Sequence, residues 1–217
     1  MLLKDIWEVF RSDVFTVPST EVLFNQYRDR VEGLDLPGAQ EIRRSNLRGY
    51  LSSFGRRPRA LVVGEAPGPW GCRFSGLPFT GERMLEEGAF PFGGRKSSTH
   101  EPPYQEKSGV IFWKEMFPHL GEFLLVNSVP FHPHRRGEPL SIRTPTVEEL
   151  ERCAPILEAI VERLGPRTLV AVGRKAEGAL GMLGLEAAYV RHPSRGGARE
   201  FGRGMERLFK RGGRRRG

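Results

Sequence analysis

The stretch Ala60-Leu61-Val62-Val63, closed by Gly64-Glu65-Ala66-Pro67-Gly68, decides the fold. A short continuous apolar run ended by glycine marks a strand covered on both faces. Three later runs repeat it. Phe123-Leu124-Leu125-Val126 ends at Asn127, Thr168-Leu169-Val170-Ala171-Val172 ends at Gly173, and the weaker Ala187-Ala188-Tyr189-Val190 ends at Arg191-His192-Pro193. Helical patterns lie between and after them. Thr146-Val147-Glu148-Glu149 reads as a capping box, and Val147, Leu150, Leu157, Val161 and Leu164 line one face of the helix it opens. Pro155 inside that helix predicts a kink or a restart. Arg174 to Leu183 and Arg199 to Phe209 read as shorter helices. Strands alternating with helices at these spacings predict an α/β fold, a three-layer α/β/α sandwich around a central four-stranded parallel sheet.

Upstream, Leu2, Ile6, Val9 and Phe10 recur at helical spacing, and so do Val22, Leu23, Tyr27 and Val31 behind an entrance at Thr20. A basic stretch from Arg43-Arg44 to Arg56-Arg57-Pro58-Arg59 then leads into the first strand. Residues 88–108, with Gly93-Gly94-Arg95-Lys96 and Pro102-Pro103, read as a flexible insertion. The expected organisation is one domain over 1–210, followed at 211–217 by a disordered basic arm, Arg211-Gly212-Gly213-Arg214-Arg215-Arg216.

Composition narrows the function classes. With 34 Lys and Arg against 26 Asp and Glu in 217 residues, the chain carries +8, enough to favour a polyanion by long-range attraction, and nucleic acid is the default partner of such a chain. No apolar run approaches the roughly 18 residues of a spanning helix. Two cysteines, Cys72 and Cys153, provide neither a disulfide framework nor a four-cysteine metal site. A reducing, cytoplasmic setting and a monomer are expected.

In an open α/β sheet, ligands bind just beyond the carboxyl ends of the strands. Gly64-Glu65-Ala66-Pro67-Gly68, Asn127, Gly173 and His192 should therefore converge. The loop after the first strand runs through Pro69-Trp70-Gly71 to Gly76-Leu77-Pro78-Phe79-Thr80-Gly81-Glu82 and is neither a Walker loop nor GxGxxG.

Taken in order, these motifs resemble those of the uracil-DNA glycosylase superfamily, over roughly residues 60 to 200. Gly64-Glu65-Ala66-Pro67-Gly68 with Phe79 resembles its first motif and base-stacking Phe; Asn127 resembles its base-reading Asn; and His192-Pro193-Ser194 resembles its closing motif. Cys153-Ala154-Pro155 with Val170-Ala171-Val172-Gly173 is similar to the thermophile-type branches, whereas Gly68-Pro69-Trp70-Gly71 is similar to the single-strand-selective monofunctional branch. Several branches hold an iron–sulfur cluster on four cysteines. Here Phe131 stands where a partner cysteine would be, and the count excludes a cluster. The single-strand-selective branch carries Asn, and the main uracil-excising branch Asp, where this chain has Ala66.

The resemblance implies a monofunctional glycosylase without metal or cofactor, acting on uracil or a close analogue in DNA. It implies that His192 stabilises charge on the departing base, that Asn127 reads the acceptor–donor edge of uracil, and that Phe79, standing exposed between glycines, stacks on the flipped base. Gly64 and Ala66 would also border the base. The water-positioning acid is Glu65 or Glu82. Backbone amides at Gly68 and Gly71 would hold DNA, together with Arg135, Arg136, Ser194, Arg195 and Arg199. His132 and His134 read as loop or phosphate-contact residues. Gly68 stands where the main branch has a Tyr that crowds out thymine's methyl group, so a 5-substituent should be tolerated. A catalytically silent DNA-binding relative is the alternative, and a hydrolase acting on RNA or nucleotides through the same pocket a third.

Overall fold

The structure, a computed structural model, describes residues 3–210; the basic arm at 211–217 lies outside the described residues. In chain order the elements are α1 (Lys4–Val9), running on into a π-helical turn at Phe10–Val14; β1 (Leu23–Phe24); α2 (Ala39–Ser52); β2 (Ala60–Gly64); α3 (Cys72–Ser75); α4 (Glu82–Glu86); α5 (Lys107–Met116); β3 (Phe123–Asn127); β4 (His132–Pro133); α6 (Val147–Leu164); β5 (Thr168–Val172); α7 (Arg174–Met182); β6 (Ala188–Val190); and α8 (Ala198–Phe209).

β2, β3, β5 and β6 form one sheet in the order β3-β2-β5-β6, every pair parallel. All five residues of β2 are buried, as expected of a strand with neighbours on both edges and helices on both faces. Alternation along β3 sorts the layers. The Phe123 ring reaches Trp113 of α5 at 6.0 Å and Phe209 of α8 at 5.7 Å. Leu124 and Val126 line a small cavity together with Phe10, Leu47 of α2 and Ile156 of α6. Each such apolar side chain contributes roughly 1.5–3 kcal/mol on burial. No described helix is long and apolar enough to cross a membrane.

Four local expectations need correction. Val22 to Val31 is not helical. Asn25 Nδ2 donates to the carbonyls of Val14 and Val17, both at 2.7 Å, and Ser19 Oγ accepts from the Asn25 amide. These side-chain bonds hold the backbone in turns, and Leu23–Phe24 pairs antiparallel with β4. The basic stretch after Arg43 hides α2, whose inward face includes Arg43 and Asn46 beside Leu47 and Tyr50; buried polar residues break the apolar period that would reveal it. α6 runs unbroken through Pro155 from its capping box at Thr146. Residues 88–108 are packed rather than loose: the amides of Ser97 and Ser98 both donate to Glu82 Oε1, and Ser98 bridges to Asp35.

Asp35 anchors this half of the molecule. Its carboxylate takes Arg43 through Oδ1 and Arg73 through both oxygens, at 2.5 and 3.0 Å, with all three side chains fully buried. Arg43 Nε also donates to Ser97 Oγ at 2.8 Å. Burial holds the Arg43 guanidinium down to about 10, against the pull of Asp35. One carboxylate thus ties α2, α3 and the 97–98 segment together.

Candidate active site

The parallel register sets Gly64 beside Asn127 at the carboxyl edge of the sheet. A Cβ on Gly64 would lie 2.6 Å from Asn127 Oδ1 and 2.9 Å from Phe79 Cε2, so only glycine lets the amide and the ring close in on the strand end. Phe79 lies over Phe112 of α5, centroids 4.7 Å apart and planes at 13°. The His192 ring stands 5.4 Å from Phe79 at 38°, and its Cβ is 3.3 Å from where a Cβ on Gly173 would be. Four strand ends therefore bring Gly64, Phe79, Asn127, Gly173 and His192 together.

Phe79 is not exposed, however: 6% of it is accessible, because Phe112 covers one face and Gly64 its edge. A flat ring needs about 3.5 Å on each side to stack, so the 5.4 Å between Phe79 and His192 excludes a base sandwiched between them. Phe79 (φ 52°) and Arg195 (φ 51°) are the two described non-glycine residues with left-handed backbone, and both border this site, where such costly conformations tend to collect.

The imidazole of His192 is oriented by its own loop. The Ser194 amide donates to Nδ1 at 3.1 Å, and Ser194 Oγ lies 2.8 Å from the same atom. Nδ1 is therefore an acceptor, and the neutral ring carries its proton on Nε2. Burial first, then Arg191 and Arg195, push the imidazole down to about 4, so it is uncharged at neutral pH. Ser194, expected as a DNA contact, also positions His192.

Glu65 leaves the end of β2 half-buried. Burial raises its carboxyl above the ordinary range, while the Thr144 hydroxyl, Lys175 and Arg195 draw it back. Its carbonyl accepts from the Val129 amide and the Ser128 hydroxyl, fixing the loop on β3's continuation. Ala66 packs partly buried against the core. The other candidate acid, Glu82, does not reach this edge. It is fully buried, with Oε1 accepting from the amides of Ser97 and Ser98 and Oε2 from the Ser98 hydroxyl at 2.5 Å, so it serves the 97–98 segment.

The outer residues divide. Gly68 is half-buried, and its carbonyl takes the amides of Gly71 and Arg73. The Gly71 amide is thus turned inward and unavailable to DNA, contrary to expectation. Arg195 and Arg199 are exposed just after the His192 loop. Arg135 and Arg136 are exposed but ion-paired, with Glu138 and Glu21, pairs weak enough for a phosphate to displace. His132 is no phosphate contact: buried, and pushed down to about 4, it stands between the carbonyls of Pro67 (2.7 Å from Nδ1) and Pro139 (3.1 Å from Nε2) and tethers the first loop. Among the described residues, no three His, Cys, Asp or Glu side chains gather as a metal-binding set.

Sequence reading missed Thr144 and Lys175 beside Glu65, the half-exposed Trp70 and, above all, Glu106. Glu106 is half-buried as a residue, with its carboxyl buried under the first loop. A Cβ on Gly71 would fall 1.9 Å from its Oε2, its backbone amide lies 2.6 Å from where a Cβ on Gly81 would be, and Ser108 Oγ donates to Oε1 at 2.8 Å. Oε2 has no hydrogen-bond partner among the described residues. The only signal was two glycines, Gly71 and Gly81, that nothing local required. Burial pushes this carboxyl up to about 7 from 4.5. The unfolded chain ionises first as pH rises, so this group's stabilising contribution is full below the unfolded value and is lost through pH 7. Glu106→Gln, which stays neutral, is therefore expected to leave thermal stability at pH 4 nearly unchanged and to raise it at pH 8 by up to about 3 kcal/mol. Melts of both proteins across that range test this; equal differences at both pH values would contradict it.

A family model described as "Uracil DNA glycosylase superfamily" matches residues 52–205. The chain belongs to this superfamily. Comparison by sequence with curated proteins finds no match. Among solved structures, the crystal structure of wild-type Pedobacter heparinus SMUG2 superposes with a TM-score of 0.65 at 18% identity, covering 95% of this chain and 96% of that one; at that identity the likeness is one of fold. Membership of the superfamily makes this a glycosylase-type protein, and DNA is the partner on which its family acts.

Proposed function

We propose that the chain is a monofunctional glycosylase that hydrolyses the N-glycosidic bond of uracil, or of a 5-modified uracil, in DNA, as a cytoplasmic monomer in base excision repair. The observation that carries this reading is the meeting of Asn127, Phe79 and a neutral, Nε2-protonated His192 at the carboxyl edge of the sheet, where Glu65 directly follows Gly64.

The chemistry follows from the groups. A nucleotide turned out of the duplex stacks on Phe79, a contact worth about 1–3 kcal/mol. The Asn127 amide offers one donor and one acceptor, matching the uracil edge. As the bond to the sugar breaks, electrons move onto the base. His192 Nε2–H donates to the base oxygen where that charge develops, and a neutral donor needs no proton uptake to act. The sugar becomes cation-like, and the Glu65 carboxylate orients water towards it; burial opposes its charged form, and Lys175 and Arg195 favour it. Arg195 and Arg199 hold the flanking phosphates, and Gly68 leaves space at the 5-position.

A panel of fluorescent oligonucleotides, each with one altered base, tests the reading after treatment with alkali. Scission at uracil and at 5-hydroxymethyluracil is the expected result. Salt-sensitive binding that leaves every base in place would favour a catalytically silent relative, and strict rejection of 5-hydroxymethyluracil would remove the 5-substituent claim alone.

A further inference from the structure

A second cluster of positive charge lies at the opposite pole of the sheet. Arg59, Glu122 and Arg167 each stand one residue before β2, β3 and β5, at the amino ends of the strands, whereas Glu65, Asn127 and His192 lie at the carboxyl ends. Arg56, Arg57, Arg59, Arg167 and Lys210 line one open groove there, with Glu122 the single carboxylate among its lining residues.

The groove is built, not accidental. Arg57 Nη1 donates to the carbonyl of Leu164 at 3.0 Å, satisfying the last turn of α6. Arg59 pairs with Glu122 at 3.0 Å and lies over the Phe209 ring at 4.9 Å. These bonds hold the floor. Arg56 and Arg167 are exposed and have no ion-pair partner among the described residues, so their guanidinium groups are available for bidentate phosphate contacts. In sequence Lys210 is followed by Arg211-Gly212-Gly213-Arg214-Arg215-Arg216, four more cations.

We infer that this groove is a second binding surface for the phosphate backbone of duplex DNA. Five residues of strand separate the two poles by about 15 Å, and a duplex is stiff over about 150 base pairs. A duplex presenting a nucleotide at one pole cannot also bend round to the other within so short a span. The groove therefore takes a different segment, and the protein can hold two at once, passing between them without first dissociating. From the glycosylase reading this takes only that DNA is the ligand of the opposite pole.

The test is capture of a second duplex. The full chain is bound to a surface-tethered unmodified duplex, and a fluorescent duplex is then supplied over a range of salt. Wild-type protein is expected to retain the second duplex. Arg56→Ala with Arg167→Ala is expected to lower that capture about tenfold or more and to reduce its salt slope by about two, at roughly 0.9 per phosphate lost, while single-turnover excision from one short duplex stays as in wild type. Failure of the wild type to capture, undiminished capture by the double variant, or capture of single-stranded RNA in place of duplex would each overturn the inference. Because capture is scored by binding, absent excision with intact capture would count against the glycosylase reading alone.

Discussion

Replacing His192 by alanine is expected to lower the single-turnover excision rate by about a hundred- to a thousandfold, the cost of removing one donor aimed at developing negative charge. DNA affinity should stay within a few-fold, since the imidazole is partly buried and the exposed cations beside it remain. The pH profile distinguishes this role from a merely structural one. His192 is held down to about 4, so its titration gives the wild-type rate no inflection between pH 6 and 7. Glu65, raised above 4.5, should instead give an acid limb, the rate falling as pH drops through its value, and Glu65→Gln should abolish both the limb and most of the rate. An alanine variant within threefold of wild type, or a wild-type profile that rises as pH falls through 6.5, would end the assignment of His192 as a neutral donor.

The largest effect on stability is expected from Asp35→Ala. It would leave the guanidinium groups of Arg43 and Arg73 facing one another in a fully buried site, and breaking a buried pair from one side costs about 3–5 kcal/mol. For a chain of this size that corresponds to a fall in Tm of roughly 10–15 °C. Removing all three charges together, with apolar residues of similar volume, should cost much less, because no uncompensated charge remains. Melts of the single and triple variants compare the two outcomes; a single variant melting within two degrees of wild type, by a margin of about 1 kcal/mol, would show that the cluster contributes little. Activity should fall with the fold, since the cluster holds α3 and the 97–98 segment, next to the first loop.

What could be read without coordinates follows from local pattern. The four strands were legible because a strand buried on both faces has to be apolar at every position, and α6 because its capping box and its apolar stripe agree. Chain direction then fixed where Asn127 and His192 had to emerge. α2 was not legible, because its buried face presents Arg43 and Asn46 to a carboxylate and to backbone carbonyls that only folding supplies. Glu82 and Glu65 look alike in sequence, each following a glycine; only the fold gives one to the amides of Ser97 and Ser98 and leaves the other half-buried at the end of β2.

By itself, then, the sequence determined the sheet, the order of its strands along the chain and the edge at which its polar ends gather, since these rest on residue spacing and on solvent exclusion along one segment. Tertiary structure alone decided that Glu82 is tied to the 97–98 segment while Glu65 stays half-buried at the end of β2, that Phe79 is covered rather than open, that His192 is neutral with its proton on Nε2, and that the Glu106 carboxyl lies buried behind Gly71. Each of these depends on groups distant in sequence meeting in a space without water, where burial and a single hydrogen bond set charge and orientation.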